Sequence, residues 1–266
     1  MIMNKKAFSL VELSITIFII GLLVVSVSAG SKIIEKHKLK SVYSEVSKIA
    51  YAIEQFDLNY NALPGDLHNA HFYFGDACGS NSPAPNGCNG NGDKTIQDAE
   101  FNSYTRAESF RFWQHLQLAG LIDGQFSGVI GEYENGYHNS ENSYNSNYMD
   151  FDFIVYYSWR ASQLYSHLHP RNNFIMDNPT YADERWKSLD DVPFTIKEIY
   201  DLDSKFDDGS PVKGMINIDS GIYNGYWQER CRTYTGRDAD GKDTWTWYME
   251  NTTGCKIILN GKLFFD

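Results

Sequence analysis

Charge is missing from one stretch of this chain, and catalytic signatures are missing from all of it. No charged side chain occurs between residues 13 and 31, a run about as long as a helix needs to cross a bilayer core. Cations are in deficit throughout: 23 Lys and Arg stand against 34 Asp and Glu, a formal net charge of -11. That balance argues against a polyanion such as nucleic acid as partner. There is no G-x-S-x-G, no H-E-x-x-H and no phosphate-binding glycine loop, so the chemistries those motifs support have no anchor here. The seven histidines are scattered; His68-Asn-Ala-His71 and His167-Leu-His169 name no third metal ligand. The acids of Asp238-Ala-Asp240-Gly-Lys-Asp243 fall in a turn, where solvated carboxylates are ordinary. The chain is therefore expected not to be an enzyme. Cysteine is scarce too. Cys78, Cys88, Cys231 and Cys255 form two local pairs, neither with the C-x-x-C spacing of zinc or redox sites. An even count behind an export-like N-terminus points to two disulfides and an oxidising compartment.

What is present begins with an apolar run. From Phe8 to Ala29 its single charge is Glu12, and the basic stretch Asn4-Lys5-Lys6-Ala7 precedes it. A carboxylate at the centre of a hydrocarbon layer costs about 2.5–3.5 kcal/mol on an insertion scale, so it needs a partner. A secretory signal would be cut after the run, at the small residues Ser26 to Gly30, and lost.

The order Lys-Lys-Ala-Phe-Ser-Leu-Val-Glu-Leu from Lys5 to Leu13 instead resembles the prepilin signature of type IV pilins and type II secretion pseudopilins. The resemblance covers about the first fifty residues. It implies that residues 1–7 are a leader removed between Ala7 and Phe8. Residues 8–60 would form the pilin helix, with 8–29 as its transmembrane half, and residues 61–266 the globular head. Two departures stand out: Ala7 occupies the place of the usual Gly before the cut, and Ala29 that of a common Pro. The family also implies a role for Glu12, which would meet the amine of Phe8 on a neighbouring subunit as it joins a filament. A lone charge would thereby become a register marker.

The implied fold is α+β, with the long helix packed on an antiparallel-sheet head. The implied partners are other pilin subunits through the N-terminal helix, the inner membrane, prepilin peptidase and the assembly machinery. The implied location is the inner membrane with a periplasmic head, then a filament. A head longer than that of a typical major pilin suggests a minor or tip subunit. A type II secretion pseudopilin and a non-assembling anchored adhesin are the alternatives. Lys32, Lys36, Lys38 and Lys40 after the span would by themselves place the head in the cytoplasm; the processing motif and the cysteine pairs point the other way.

Past the apolar run, Leu39, Val42, Val46, Ile49, Ile53, Phe56 and Tyr60 recur at steps of three and four, one stripe on a helix. Glu45, Ser47, Lys48 and Glu54 fill the other faces, and Leu63-Pro64-Gly65-Asp66 stops the helix. Thr105-Arg-Ala-Glu108 and Thr195-Ile-Lys-Glu198 read as capping boxes opening two further helices, the first stopped by Gly120. Strands are expected at Phe151–Tyr157, Gly214–Asp219, Thr244–Met249 and in a closing hairpin. That hairpin joins Lys256–Leu259 to Lys262–Phe265 across Asn260-Gly261. The tract from Gly131 to Met149, rich in Asn, Ser and Tyr, reads as a long exposed loop.

One loop has metal-ligand spacing. From Asn89 to Glu100, oxygen donors stand at positions one, three and five (Asn89, Asn91, Asp93). A carbonyl follows at seven (Thr95), and Glu100 stands at twelve, as in a calcium loop. No cofactor is required by the sequence; calcium is the one ion that this spacing suggests. The alternative is an Asn/Gly turn leading into a helix.

Overall fold

The computed structural model describes residues 9–83, 87–97, 108–129, 141–148, 151–157, 172–177, 194–219, 222–223, 226–227, 231–239, 243–248 and 256–259. The chain divides into two compact units, Met1–Ser41 and Val42–Asp266.

Helix α1 runs over Leu10–Tyr60, 51 residues. It opens on a reciprocal cap. The Ser9 hydroxyl accepts the Val11 N–H at 3.3 Å, and the Glu12 carboxylate accepts the Ser9 N–H at 2.9 Å. Two of the donors that every helix start leaves orphaned are thus satisfied. Within the first unit, Leu10–Val27 is long and apolar enough to cross a membrane, and none of it is buried.

In the second unit the helical stripe behaves as its spacing requires. Val42, Val46, Ile49, Ile53 and Phe56 are all buried. The helix ends at Asn61, in the left-handed region at φ 51°, whose N–H still donates to the Asp57 carbonyl at 2.7 Å. Asn is among the few residues that tolerate this conformation. Glu45 corrects the sequence reading, because it is 3% exposed rather than on an outer face. Its carboxylate accepts the Ser146 hydroxyl at 2.6 Å and the Asn147 N–H at 3.1 Å. The second half of the Asn/Ser/Tyr tract is therefore packed: Asn142, Ser143 and Ser146 are buried, and β1 (Tyr144–Asn145) pairs with the next strand. The tract's first half lies outside the described residues.

Next come a short α2 (Ala70–Phe74), a 3-10 turn (Gly75–Cys78) and α3 (Glu108–Leu118). The last is closed by a Leu121 N–H to Leu116 carbonyl bond at 3.0 Å, with Gly120 at φ 69°. A disulfide joins Cys78 and Cys88, and closing so short a loop is worth about 2–3 kcal/mol. Cys231 is buried, and no described cysteine is free; Cys255 lies outside the described residues.

The main sheet is built from β1, β2 (Asp152–Tyr157), β3 (Asn172–Asp177), β4 (Ile216–Asp219) and, last in sequence, Lys256–Leu259. Helix α4 (Ile196–Phe206) precedes β4 and has the expected Thr195–Glu198 capping box. Two small hairpins complete the described strands: β5 (Ile222–Tyr223) with β6 (Tyr226–Trp227), and β7 (Arg232–Arg237) with β8 (Asp243–Trp247). Lys256–Leu259, which is β9, sits between β3 and β4 and is antiparallel to both. Both its edges are thus occupied, which leaves none for the closing hairpin expected at Asn260-Gly261. The proposed second strand, Lys262–Phe265, lies outside the described residues.

Alternate residues of the sheet form the core. Phe153, Val155, Phe174, Met176, Ile216, Ile218, Ile257 and Leu259, at alternate positions along their strands, are buried; Asn217, between two of them, is buried as well. Phe112 and Trp113 of α3 press on Phe174, with ring centroids 5.6 and 6.1 Å away.

Candidate functional site

Two places hold the chemistry that the sequence singled out. The first is the start of α1. Ala7 and Phe8 lie outside the described residues, and Glu12 lies one helical turn beyond them. One Glu12 oxygen caps Ser9; among the described residues the other has no partner, and no cation neutralises the side chain. Capping occupies one carboxyl oxygen and leaves the other open at the head of an apolar span. S-x-x-E is itself a local signal for this cap, legible in Ser9-Leu-Val-Glu12.

The second place is the loop after the disulfide. Asp66 and Glu108 grip it by its backbone. The Asp66 carboxylate accepts N–H groups from Gly92 at 2.6 Å, Asp93 at 3.1 Å and Lys94 at 2.8 Å. Glu108 accepts those of Asn91 at 2.9 Å and Gln97 at 3.1 Å. Asp93 accepts the Asn91 and Gln97 side-chain amides at 3.0 and 2.9 Å, with the Thr95 N–H and hydroxyl on its other oxygen. Gly90 lets the strand of loop approach, since a Cβ there would run into the Asp66 backbone.

The carboxylates of Asp66, Asp93 and Glu108 lie within 4.8 Å of one another, and their proton affinities follow from that. Burial, with Asp66 and Asp93 adding repulsion, pushes Glu108 from its ordinary 4.5 up to about 7. Asp66 is raised as well, by burial above all. Burial also opposes the charge of Asp93, but hydrogen bonds from Thr95, Asn91 and Gln97 hold it below the usual range.

A pH dependence follows. A folded-state pKa above the unfolded one favours folding fully below about 4.5, and that contribution is lost as pH rises through about 7. At 1.36 kcal/mol per pH unit the Glu108 contribution is at most about 3 kcal/mol. Thermal melting of the full chain should thus drop between pH 5 and pH 8. Glu108→Gln should flatten that slope while lowering the pH 5 melting point, because the amide accepts at only one of its two positions. An unchanged slope would dismiss Glu108 as its source.

Helix α3 ties this loop to its surroundings. His115 is wholly buried, and burial pushes its pKa down to about 3, so it is neutral. Its Nδ1 accepts the Gly65 N–H at 2.9 Å, which leaves Nε2 as the protonated nitrogen, donating to the Cys88 carbonyl at 3.0 Å. Arg111 donates to the Cys78 carbonyl at 2.8 Å, and Gln114 donates to the Ser127 carbonyl at 3.0 Å. The stretches Leu63–Asp66 and Trp113–Leu116, far apart in sequence, are thus two sides of one scaffold around the disulfide.

Of the expected calcium ligands, Asn91, Asp93 and Thr95 are brought together. Asn89 is engaged elsewhere: its carbonyl accepts the His71 N–H at 2.9 Å and its amide donates to Asn81 at 2.8 Å. Glu100 lies outside the described residues. Sequence reasoning missed Asp66 and Glu108 as members of this cluster, since nothing in their spacing marks long-range convergence. No family model, no curated protein and no solved structure matches the chain.

Proposed function

We propose that this chain is a pilin-like subunit, made as a precursor, trimmed before Phe8, held by one membrane span and drawn into a type IV pilus-type filament as a minor or tip subunit. The observation that carries the reading is the pairing of a wholly exposed apolar stretch, Leu10–Val27, with a single half-satisfied carboxylate, Glu12, at its head. Exposed apolar surface of that extent is untenable in water and calls for lipid first and for packed neighbouring helices afterwards. The carboxylate calls for a cation inside that apolar setting, and the freed amine of Phe8 on the next subunit is one. The basic residues Lys5 and Lys6 with the order Ala7-Phe8-Ser9-Leu10-Val11-Glu12 supply the processing signal.

In this reading the second unit is the head on the outer side of the membrane, where the Cys78–Cys88 bond is chemically stable. Co-production with a prepilin peptidase tests the proposal. The intact mass should fall by the mass of Met1–Ala7 while the apolar stretch is retained. An unchanged mass, or a cut after the stretch near Ser26 to Gly30, would refute it.

A further inference from the structure

The C-terminal end of α4 carries a second acidic group, centred on a buried carboxylate. Asp203 is 0% exposed, and neither of its carboxylate oxygens has a hydrogen-bond partner. Burial above all, with repulsion from Asp207 and Asp208 and a close carboxyl contact with Asp207, pushes its pKa up to about 7, against a smaller opposite pull from the Gly209 amide. An unpaired buried carboxylate is among the costliest groups a fold can carry.

It faces two more acids. Ligand atoms of Asp203, Asp207 and Asp208 all lie within 4.8 Å of one another, and among the described residues no Lys or Arg pairs with any of the three. Lys205, on the same turn, places its Nζ 5.2 Å from the centroid of the Phe206 ring, and Lys197 pairs with Asp201 at 3.3 Å. The acids also stand at the negative end of the helix, where its dipole disfavours anions.

Backbone amides hold the two outer carboxylates in place without using them up. One Asp207 oxygen accepts the N–H groups of Met215 at 2.5 Å and Ile216 at 2.7 Å. One Asp208 oxygen accepts the Ser210 N–H at 2.8 Å. Gly214 permits the first of these approaches: at φ +72° and against the Asp207 carboxylate, a Cβ would collide with it. Among the described residues, one oxygen of Asp207, one of Asp208 and both of Asp203 remain without a hydrogen-bond donor. Asp208 is exposed, so solvent and ions reach the group.

The geometry points to a divalent cation site, best suited to calcium, formed by Asp203, Asp207 and Asp208. Oxygens within 4.8 Å of one another can reach one ion, and the flexible, partly hydrated shell of calcium accepts such an open group. Magnesium, with shorter bonds and a strict octahedron, asks for a tighter cage. Water fills the remaining positions on the Asp208 side. Bound calcium would neutralise the buried Asp203 and fasten the end of α4 to the turn that leads into β4. The affinity expected of three carboxylates plus water is in the range of extracellular modules, about 0.1–1 mM.

The test uses the full chain in detergent, stripped of metal with a chelator and then melted in increasing calcium chloride or magnesium chloride. Calcium should raise the melting temperature with half-saturation near or below about 1 mM, and magnesium should do so far less. Asp203→Asn should raise the half-saturating concentration at least ~10-fold, the loss expected when one charged ligand of three goes. Asp93→Asn should leave the response unchanged. Should Asp203→Asn not fold, Asp208→Asn carries the same expectation from an exposed position.

A second readout is terbium luminescence sensitised by Trp247, whose Nε1 donates to the Gly209 carbonyl at 3.0 Å. Calcium should displace terbium, and Asp208→Asn should abolish the signal. No shift up to 10-fold above about 1 mM calcium would overturn the site. So would a response lost in Asp93→Asn and kept in Asp208→Asn, which would put the ion in the other loop. A chain stabilised by acid and indifferent to calcium would also overturn it, by showing that Asp203 holds a proton instead.

Discussion

Replacing Glu12 with Ala is expected to remove the chain from filaments while leaving it in the membrane. The membrane half of that expectation is simple, because deleting a charge from an apolar span lowers its insertion cost by about 2.5–3.5 kcal/mol. The filament half rests on what the charge meets. Breaking a buried ion pair by removing one partner costs about 3–5 kcal/mol, since the other charge stays behind in a low dielectric. At 1.4 kcal/mol per factor of ten this is about a 100-fold loss or more of incorporation.

The cap at Ser9 makes the experiment sharper. Glu12 also accepts the Ser9 N–H at 2.9 Å, so Ala removes a helix cap together with a charge. Glu12→Gln separates the two roles, because Gln can close a capping box but cannot neutralise an amine. Quantifying the chain in sheared filaments and in the membrane fraction should show Gln as defective as Ala in filaments and normal in membranes. Normal incorporation of Glu12→Gln would reduce Glu12 to a capping residue.

The largest stability loss is expected at Asp66. Ala there takes the carboxylate from the N–H groups of Gly92, Asp93 and Lys94 in one stroke. Gly92 keeps the Asp66 backbone carbonyl at 3.1 Å and Asp93 keeps the Asn91 side-chain oxygen at 2.9 Å, so the Lys94 N–H loses most. Each stranded donor costs about 1–3 kcal/mol where water cannot reach it. With one donor stranded and two weakened, the expected total is about 2–3 kcal/mol, within the range of ordinary destabilising substitutions. For a chain of this size that corresponds to a melting temperature lower by about 5–10 °C.

Asp66→Asn should do less harm. Its carbonyl still serves Gly92 and Asp93, and only the Lys94 N–H, which uses the other oxygen, loses its acceptor. Melting followed by circular dichroism should therefore rank wild type above Asn and Asn above Ala. Equal melting of Ala and wild type would show that the loop after the disulfide is not held by Asp66.

Local signals in the sequence were read well where nothing distant overruled them. The α1 stripe, the Thr195 cap, the end of α3 at Gly120 and the Cys78–Cys88 bond each depend on residues a few positions apart. β9 is the counterexample. Asn260-Gly261 is a strong local hairpin signal, yet Ile257 and Leu259 are buried between β3 and β4, and the tertiary pairing takes both edges. β3 was not legible at all, because Asn172-Asn-Phe-Ile-Met-Asp177 has too short an apolar run to show alternation. Glu45 was placed outside because a charged residue on a helix is usually solvated. The hydroxyl and amide donors that pay for its burial come from the Asn/Ser/Tyr tract nearly a hundred residues later. The acidic clusters share this property: Asp66 meets Asp93 and Glu108 only once the fold has closed. Asp203, Asp207 and Asp208 sit close in sequence, but the burial that makes Asp203 notable comes from packing.

The most direct test of the filament account is the N-terminal residue of this chain recovered from filaments sheared off intact cells. The account predicts a mature protein beginning at Phe8 and retaining Glu12 and the apolar stretch. A chain absent from the filaments, or present with an N-terminus beyond Ser26, would contradict it.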